Sequence, residues 1–207
     1  MNYLANSDEE VMRAYQQGQA IAFEEIFRRY KKSVFSYILR YTGNQQDSEE
    51  IFQHVFVKMH RATPTWQPTA KFSTWLFTIV RNLCIDHHRK QRLRKNISMD
   101  DTFGEDSDRT LHDTLAFEGS GADEKNSDAQ IRQILEEALK TINDDQREVF
   151  LMREKSGLKF EEIAEVLGVS VNTVKSRMRY AMEALRKYIE KSRFKELNPL
   201  KERSFIK

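Results

Sequence analysis

The residues with chemical potential gather in two cationic stretches. The first runs Arg81-Asn82-Leu83-Cys84-Ile85-Asp86-His87-His88-Arg89-Lys90-Gln91-Arg92-Leu93-Arg94-Lys95. It sets six Lys and Arg against one acid, Asp86, with Phe72, Trp75 and Phe77 just upstream. Cations hold a nucleic-acid backbone and rings offer stacking surface to unpaired bases, so the mixture suits single-stranded DNA. The bland reading makes the rings core anchors and the basic run a solvated helix end. The second stretch, residues 160–186, has the order of a helix-turn-helix. Ile163, Ala164 and Leu167 pack a first helix, and Ala164 is small where two helices approach. Gly168 stands where a left-handed backbone ends that helix. Val169 fills the wedge and Ser170 caps the second helix. Val174, Met178, Ala181 and Leu185 form the buried stripe of that second helix. Asn172, Thr173, Lys175, Ser176, Arg179 and Tyr180 occupy its other face, in the half that reaches base edges. Arg177 and Arg186 suit phosphate contacts. A plain helical hairpin with a charged face is the alternative.

Other chemistries fare worse. Cys84, His87 and His88 are the only candidates for a metal enzyme, but Cys84 falls on an apolar stripe, where a small buried thiol is the simpler reading. There is no Ser/His/Asp arrangement, no paired catalytic carboxylates and no phosphate-binding glycine loop. The chain is read as not an enzyme, with no cofactor and no metal.

Helical periodicity positions both stretches. Phe23, Ile26, Phe27, Tyr30, Val34, Tyr37, Ile38 and Tyr41 recur at steps of three and four, and Thr42-Gly43-Asn44 stops that helix. Asp47 or Ser48 is the expected cap of a second helix, whose first turn holds Glu49 and Glu50 and whose stripe is Ile51, Val55 and Met59. Pro64 and Pro68 make 63–71 a loop. Ser73 or Thr74 is the expected cap of a third long helix, with Leu76, Ile79, Val80, Leu83 and Cys84 on its apolar face. Helix resumes with Ile131, Ile134, Leu135, Ala138, Leu139 and Ile142, then Val149 and Phe150. The fold class is therefore all-α.

Composition bounds the reading. The chain of 207 residues is 39% hydrophobic and 32% charged, which suits modest helical cores and excludes wholesale disorder. Its 7 Gly and 3 Pro are too few for a turn-rich β-sandwich. No apolar run reaches a membrane span, no signal-peptide pattern opens the chain, and the 1 Cys agrees with a reducing compartment, so a cytoplasmic protein is expected. The net charge of +2 conceals an asymmetry. Residues 1–95 hold 15 Lys and Arg against 9 Asp and Glu, residues 96–128 hold 2 against 10, and residues 129–207 hold 17 against 13. Two basic lobes on an acidic connector suit a polyanion partner. The expected layout is a domain over 1–95, a flexible acidic linker over 96–128, a domain over 129–191 and a loose basic tail over 192–207.

Together these segments resemble an extracytoplasmic-function sigma factor, across about residues 20–95 (sigma region 2) and 129–189 (sigma region 4). Asp47-Ser48-Glu49-Glu50-Ile51-Phe52-Gln53-His54-Val55-Phe56 looks like the helix that grips the β′ clamp coiled coil of RNA polymerase. Phe72 to Asn82 looks like the stretch that melts the −10 promoter element, and Ile85 to Lys90 continues it. Residues 160–186 resemble the reader of the −35 element. The region-4 motif by itself is shared with response-regulator output domains, whereas both blocks in this order and spacing are specific to the family. The resemblance implies polymerase docking through Asp47, Glu49, Glu50 and Gln53, with His54 where an acid is usual. It implies −10 contacts from Lys71, Trp75, Arg81, Asn82, Arg89, Lys90 and Arg92, an unpaired base being captured beside the loop Trp66-Gln67-Pro68-Thr69-Ala70-Lys71. It implies −35 contacts from Asn172, Thr173, Lys175, Ser176, Arg177, Arg179 and Tyr180, a contact of region 4 with the β flap, and an anti-sigma factor as a partner in many members. The rivals are a helix-turn-helix regulator that does not dock on polymerase, and a helical adaptor without a DNA role. Promoter elements about two helical turns apart lie roughly 70 Å from each other. A relaxed coil of about 33 residues spans only about 30 Å, so the connector would be stretched when both lobes engage.

Overall fold

The computed structural model describes residues 3–99, 134–135 and 137–197, and these contain helices and no strand. In chain order the helices are α1 (Asp8–Gln16), α2 (Ala20–Thr42), α3 (Gln45–Ala62), a short 3-10 turn at Thr63–Thr65, α4 (Phe72–Met99), α5 (Asp144–Glu154), α6 (Phe160–Leu167) and α7 (Val171–Leu197). The all-α expectation holds. Most of the acidic connector, 100–128, lies outside the described residues, as do Ile131 and the end of the tail, 198–207. Helix α4 continues to Met99, past the expected end of the first domain, and α7 continues to Leu197, into the expected tail. The chain forms two compact units. One comprises Met1–Asp113 with Leu151–Val171, and the other Thr114–Phe150 with Asn172–Lys207.

In the first unit α2 is the spine. Ile26, Val34, Tyr37 and Ile38 are fully buried, as the three- and four-residue spacing predicts, while Phe23, Phe27, Tyr30 and Tyr41 are half-buried at its edges. Gly43 ends the helix at φ 67°, a left-handed backbone that glycine adopts without a Cβ penalty. Helix α3 packs on α2 and α4 through Ile51, Val55, Phe56 and Met59. Phe56 meets Phe27 with ring centroids 4.9 Å apart. Helix α4 buries Phe72, Leu76, Phe77, Ile79, Val80 and Cys84, and Phe77 meets Tyr37 edge to face at 5.9 Å. Cys84 is a buried free thiol on the apolar stripe.

Two helix starts differ from the sequence expectation. The cap of α3 is Asn44, whose side chain accepts the Asp47 N–H at 3.0 Å, and not Asp47 or Ser48. The helix reaches further upstream because Gln45 and Gln46 form its first turn without adding to the apolar stripe. Helix α4 starts at Phe72, ahead of Ser73 and Thr74. Its first N–H is taken by a residue distant in sequence, since Glu9 Oε1 of α1 accepts Phe72 N–H at 2.9 Å.

Helix α1 has no counterpart among the sequence expectations. It carries a capping box: Ser7 Oγ accepts Glu10 N–H at 3.2 Å and Glu10 Oε2 accepts Ser7 N–H at 2.8 Å. The hydrogen bond that the Glu10 carboxylate accepts from Ser7 N–H, then that from Asn6 Nδ2 at 3.2 Å, holds its pKa below the ordinary value. Val11 and Met12 bury completely against the neighbouring helices.

Candidate nucleic-acid interface

The turn between α6 and α7 follows the residue order read from the sequence. Gly168 closes α6 at φ 66°, its N–H donating to Glu165 O at 3.3 Å while Val169 N–H donates to Ala164 O at 3.1 Å. These two bonds form the Schellman arrangement, which satisfies carbonyls the helix end would leave open. Helix α7 begins at Val171, directly after Ser170. A Cβ at Gly168 would meet nothing within 4 Å. A Gly168→Ala variant should therefore lose only what a left-handed alanine costs, about 1–2 kcal/mol. Urea denaturation measures this, and an unaltered midpoint would show that the turn tolerates a side chain.

Helix α7 divides its residues by angle. At about 100° per residue, Val174, Ala181 and Leu185 fall on one stripe, and all three are buried, with Met178 half-buried beside them. Asn172, Lys175, Ser176, Arg179 and Tyr180 are exposed on the far arc, and Thr173 is half-exposed at its margin. Arg179 lies over the Tyr180 ring at 4.8 Å, so its guanidinium is oriented on the exposed arc before any partner arrives. Arg177 is different. Its angle brings it toward the buried stripe, where it pairs with Asp145 of α5. Exposed Arg186 pairs with Glu190 one turn on, at 2.8 Å.

In the first unit, the aromatic group upstream of the basic run is a packed cluster. Trp66 is 5% exposed and Phe72 is fully buried. Trp75, half-buried, lies 6.3 Å from Trp66 and 5.7 Å from Phe72. Trp75 thus anchors the cluster and shows only part of its surface. Asn82, Arg89 and Lys90 are exposed along α4, and Arg81 is half-buried. Arg92 lies on α4, with its side chain outside the described residues. Lys71 is exposed but paired, its Nζ 2.6 Å from Glu162 Oε1 of α6. That hydrogen bond raises the Lys71 pKa above the ordinary lysine value. The other Glu162 oxygen accepts the Lys159 N–H at 2.8 Å and caps α6.

The acidic residues of α3 separate onto different faces. Asp47 turns to α4, accepting from Gln91 Nε2 at 2.7 Å with His87 Nε2 at 3.5 Å. Glu49 and Gln53, four residues apart, share an exposed face, and Gln45 Nε2 donates to Glu49 at 3.0 Å. Glu50 and His54 are exposed on the adjoining face. The sequence reading grouped Asp47 with Glu49, Glu50 and Gln53. In the fold Asp47 ties α3 to α4, and the other three are presented outward. His87 and Gln91, which hold Asp47, and Asp145, which holds Arg177, were not singled out as partners, because those pairings join separate helices. Among the described residues no group of His, Cys, Asp and Glu is placed to hold a metal ion. No described helix is long and apolar enough to cross a membrane.

A helix-turn-helix whose second helix presents an exposed polar and basic arc, together with a long helix α4 that starts in an aromatic cluster and carries exposed Arg89 and Lys90 further along, defines an all-helical protein of the helix-turn-helix class. Family comparisons agree. The model of sigma-70 region 2 matches residues 26–94, and that of sigma-70 region 4 matches residues 132–185. The RNA polymerase sigma-H factor of Pseudomonas aeruginosa is 28% identical over 190 residues, covering 88% of this chain and 94% of that protein. The ECF RNA polymerase sigma factor SigW of Bacillus subtilis is 27% identical over 172 residues, covering 83% of this chain and 91% of that protein. The ECF RNA polymerase sigma-E factor of Escherichia coli K12 is 28% identical over 186 residues, covering 86% and 92%. Among solved structures, CnrH in complex with the cytosolic domain of CnrY matches with a TM-score of 0.64 at 20% identity, covering 88% of this chain and 97% of that one. The sigma factor RpoE of Bartonella quintana, crystallised with the anti-sigma factor NepR, matches with a TM-score of 0.64 at 23% identity, covering 81% and 96%. The chain belongs to the sigma-70 family of RNA polymerase sigma factors, in its extracytoplasmic-function group.

Proposed function

We propose that this sigma factor docks on core RNA polymerase and brings it to promoters whose −35 element is read by α7 and whose −10 element is opened at the start of α4. The observation that carries the reading is the α7 arc, where exposed donors from Asn172 to Tyr180 follow directly on the Gly168 turn. In this reading Asn172, Thr173, Lys175, Ser176, Arg179 and Tyr180 meet DNA, while Arg177 is oriented by Asp145. The loop 67–71, Trp75, Arg81 and Asn82 handle the unpaired −10 strand, and Arg89, Lys90 and Arg92 hold adjoining phosphates. Lys71 reaches that strand by exchanging Glu162 for a phosphate.

Docking on the β′ clamp coiled coil is assigned to Glu49, Glu50 and Gln53, the outward residues of α3. Region 4 is assigned to the β flap. The site of action is the cytoplasm, where the polymerase works, and the protein acts as an initiation factor without a reaction of its own. An anti-sigma partner of the kind crystallised with RpoE belongs to this reading. Co-purification with a candidate anti-sigma protein tests that part.

Reconstituted transcription tests the whole. Core polymerase plus this chain should start at a defined set of promoters, and core polymerase without it should not. A chain that binds promoter DNA but never associates with core polymerase would instead be a helix-turn-helix regulator. Arg179→Ala should cost about 1–3 kcal/mol at one −35 position and little at the others. Affinities for a panel of singly substituted promoters measure this. A uniform loss across the panel would make Arg179 a phosphate contact.

A further inference from the structure

The loop 67–71 is short, its residues Gln67, Pro68 and Thr69 are exposed, and Thr69 N–H donates to Gln67 O at 2.8 Å within it. Both of its ends are held by one helix. At the leading end, Gln16 Nε2 of α1 donates to Thr63 O at 2.7 Å and to Trp66 O at 2.9 Å. At the trailing end, Glu9 Oε1 of α1 accepts Phe72 N–H at 2.9 Å. Glu9 and Gln16 are seven residues apart, so they share a helix face about 10 Å apart along the axis. Between them Val11 and Met12 are fully buried, which seats the helix firmly. Helix α1 is thus a brace with an apolar middle and a polar clamp at each end. It lies wholly before the residues matched by the region 2 family model, 26–94.

We propose that Glu9 and Gln16 are positioning residues for −10 recognition, setting the shape of loop 67–71 so that it discriminates the captured base. This rests on the assignment of that loop to the −10 strand. Neither residue touches DNA. Each acts by fixing backbone groups at a loop end, and the loop then enters the complex without having to be ordered by it. A pinned loop selects among bases because its walls are already in place. A slack loop adapts to several bases and loses the contrast, since misplacement of a recognition surface by about 1 Å is enough to cost much of its selectivity.

The test uses reconstituted holoenzyme with full-length Gln16→Ala, Glu9→Ala and Glu9→Gln chains. Initiation is measured on a promoter with the preferred base at the captured −10 position and on three with the other bases there. Gln16→Ala and Glu9→Ala should reduce the preference about tenfold, with core polymerase affinity and the −35 substitution profile unchanged. Glu9→Gln keeps an acceptor for Phe72 N–H and should restore most of the preference. Thermal melting of each free chain is followed in parallel. An Ala variant that melts normally and keeps the full base preference overturns the proposal, whatever happens to its overall rate. A Glu9→Gln chain no better than Glu9→Ala overturns the Glu9 clamp. Gln67→Ala and Thr69→Ala separate the two levels of the argument. If they change the preference and the α1 variants do not, the brace is wrong and the loop assignment stands. If neither set changes it, the loop assignment falls and the brace with it.

Discussion

Phe77→Ala should destabilise the first unit by about 3–5 kcal/mol, the cost typical of emptying a buried aromatic site. Phe77 is fully buried and meets Tyr37, also fully buried, edge to face at 5.9 Å. Tyr37 is in turn stacked on Tyr41 at 6.1 Å, so the ring that would lose its partner is held in place on its other side. That limits collapse into the cavity and favours the upper part of the range. Domains of this size are stable by only about 5–15 kcal/mol, so the loss is a large share of the total. The thermal midpoint should fall by more than about 10 °C. Phe77→Leu, which keeps most of the volume, should lose far less, under about 1.5 kcal/mol if the core repacks. Denaturation followed by circular dichroism measures both variants. Equal losses for alanine and leucine would mean that volume at this site is not what matters. The functional consequence follows from the position of Phe77 on α4. The same helix carries Gln91 and His87, which hold Asp47, and exposed Arg89 and Lys90, so a loosened α4 should weaken −10 opening and polymerase docking together.

The second large effect is expected at Arg29. Its guanidinium binds Glu25 at 2.7 Å and Asp8 at 2.6 Å, and it donates to the carbonyl oxygens of Tyr3 at 2.6 Å and Asn6 at 3.0 Å. One side chain on α2 therefore gathers the segment that leads into α1. The Tyr30 hydroxyl donates to the second Asp8 oxygen, and burial, with that bond, pushes the Tyr30 pKa well above the ordinary range. Arg29→Ala removes four charge-assisted bonds and leaves Asp8 short of its counter-charge. Because the guanidinium remains 20% exposed, water replaces part of what is lost, and about 2–3 kcal/mol is expected. Arg29→Lys should recover only part, since an ammonium cannot reproduce the planar fork.

The acid dependence has a definite sign. The hydrogen bond from Arg28, then that from Arg29, holds the Glu25 carboxyl down to about 2, from an ordinary 4.5. A depressed carboxylate contributes stability that is fully present above pH 4.5 and fades as the pH falls toward 2. In Arg29→Ala the Glu25 pKa should move back up toward 4.5, so the acid-induced loss should be smaller and should be complete at a higher pH. Denaturation midpoints of the two chains between pH 2 and pH 6 test this, and parallel curves would show that Arg29 is not linked to Glu25. A functional readout accompanies it. If α1 braces the −10 loop, Arg29→Ala should also blunt −10 base preference, because it frees the segment on which α1 is mounted.

The helical stripes could be read directly from residue order. Ile26, Val34, Ile38, Leu76, Val80, Cys84, Val174, Ala181 and Leu185 are buried where periodicity put them, because a helix face is set by spacing alone. The Gly168 turn was legible for a similar reason: only a local backbone constraint is needed to end one helix and begin the next. Helix α1 carries little periodic signal, because its 9 residues are mostly charged or polar and offer just the adjacent pair Val11 and Met12 to the core. Its sequence signature is the capping box of Ser7 and Glu10, which has no apolar stripe of helical period behind it. The start of α4 could not have been placed, since its capping group is Glu9, 63 residues away.

Sequence alone therefore determined the long amphipathic helices and their apolar faces, where the second helix of the helix-turn-helix begins and which family the chain resembles. These depend on neighbours within one or two turns. Tertiary structure decided how the polar groups are used: Asp47 turned inward to Gln91 and His87, Arg177 held by Asp145, Lys71 paired with Glu162, and α1 clamping both ends of loop 67–71. A hydrophobic stripe needs only to leave water and announces itself by period. A hydrogen bond or ion pair needs one particular partner at about 3 Å, and that partner is chosen when distant helices meet.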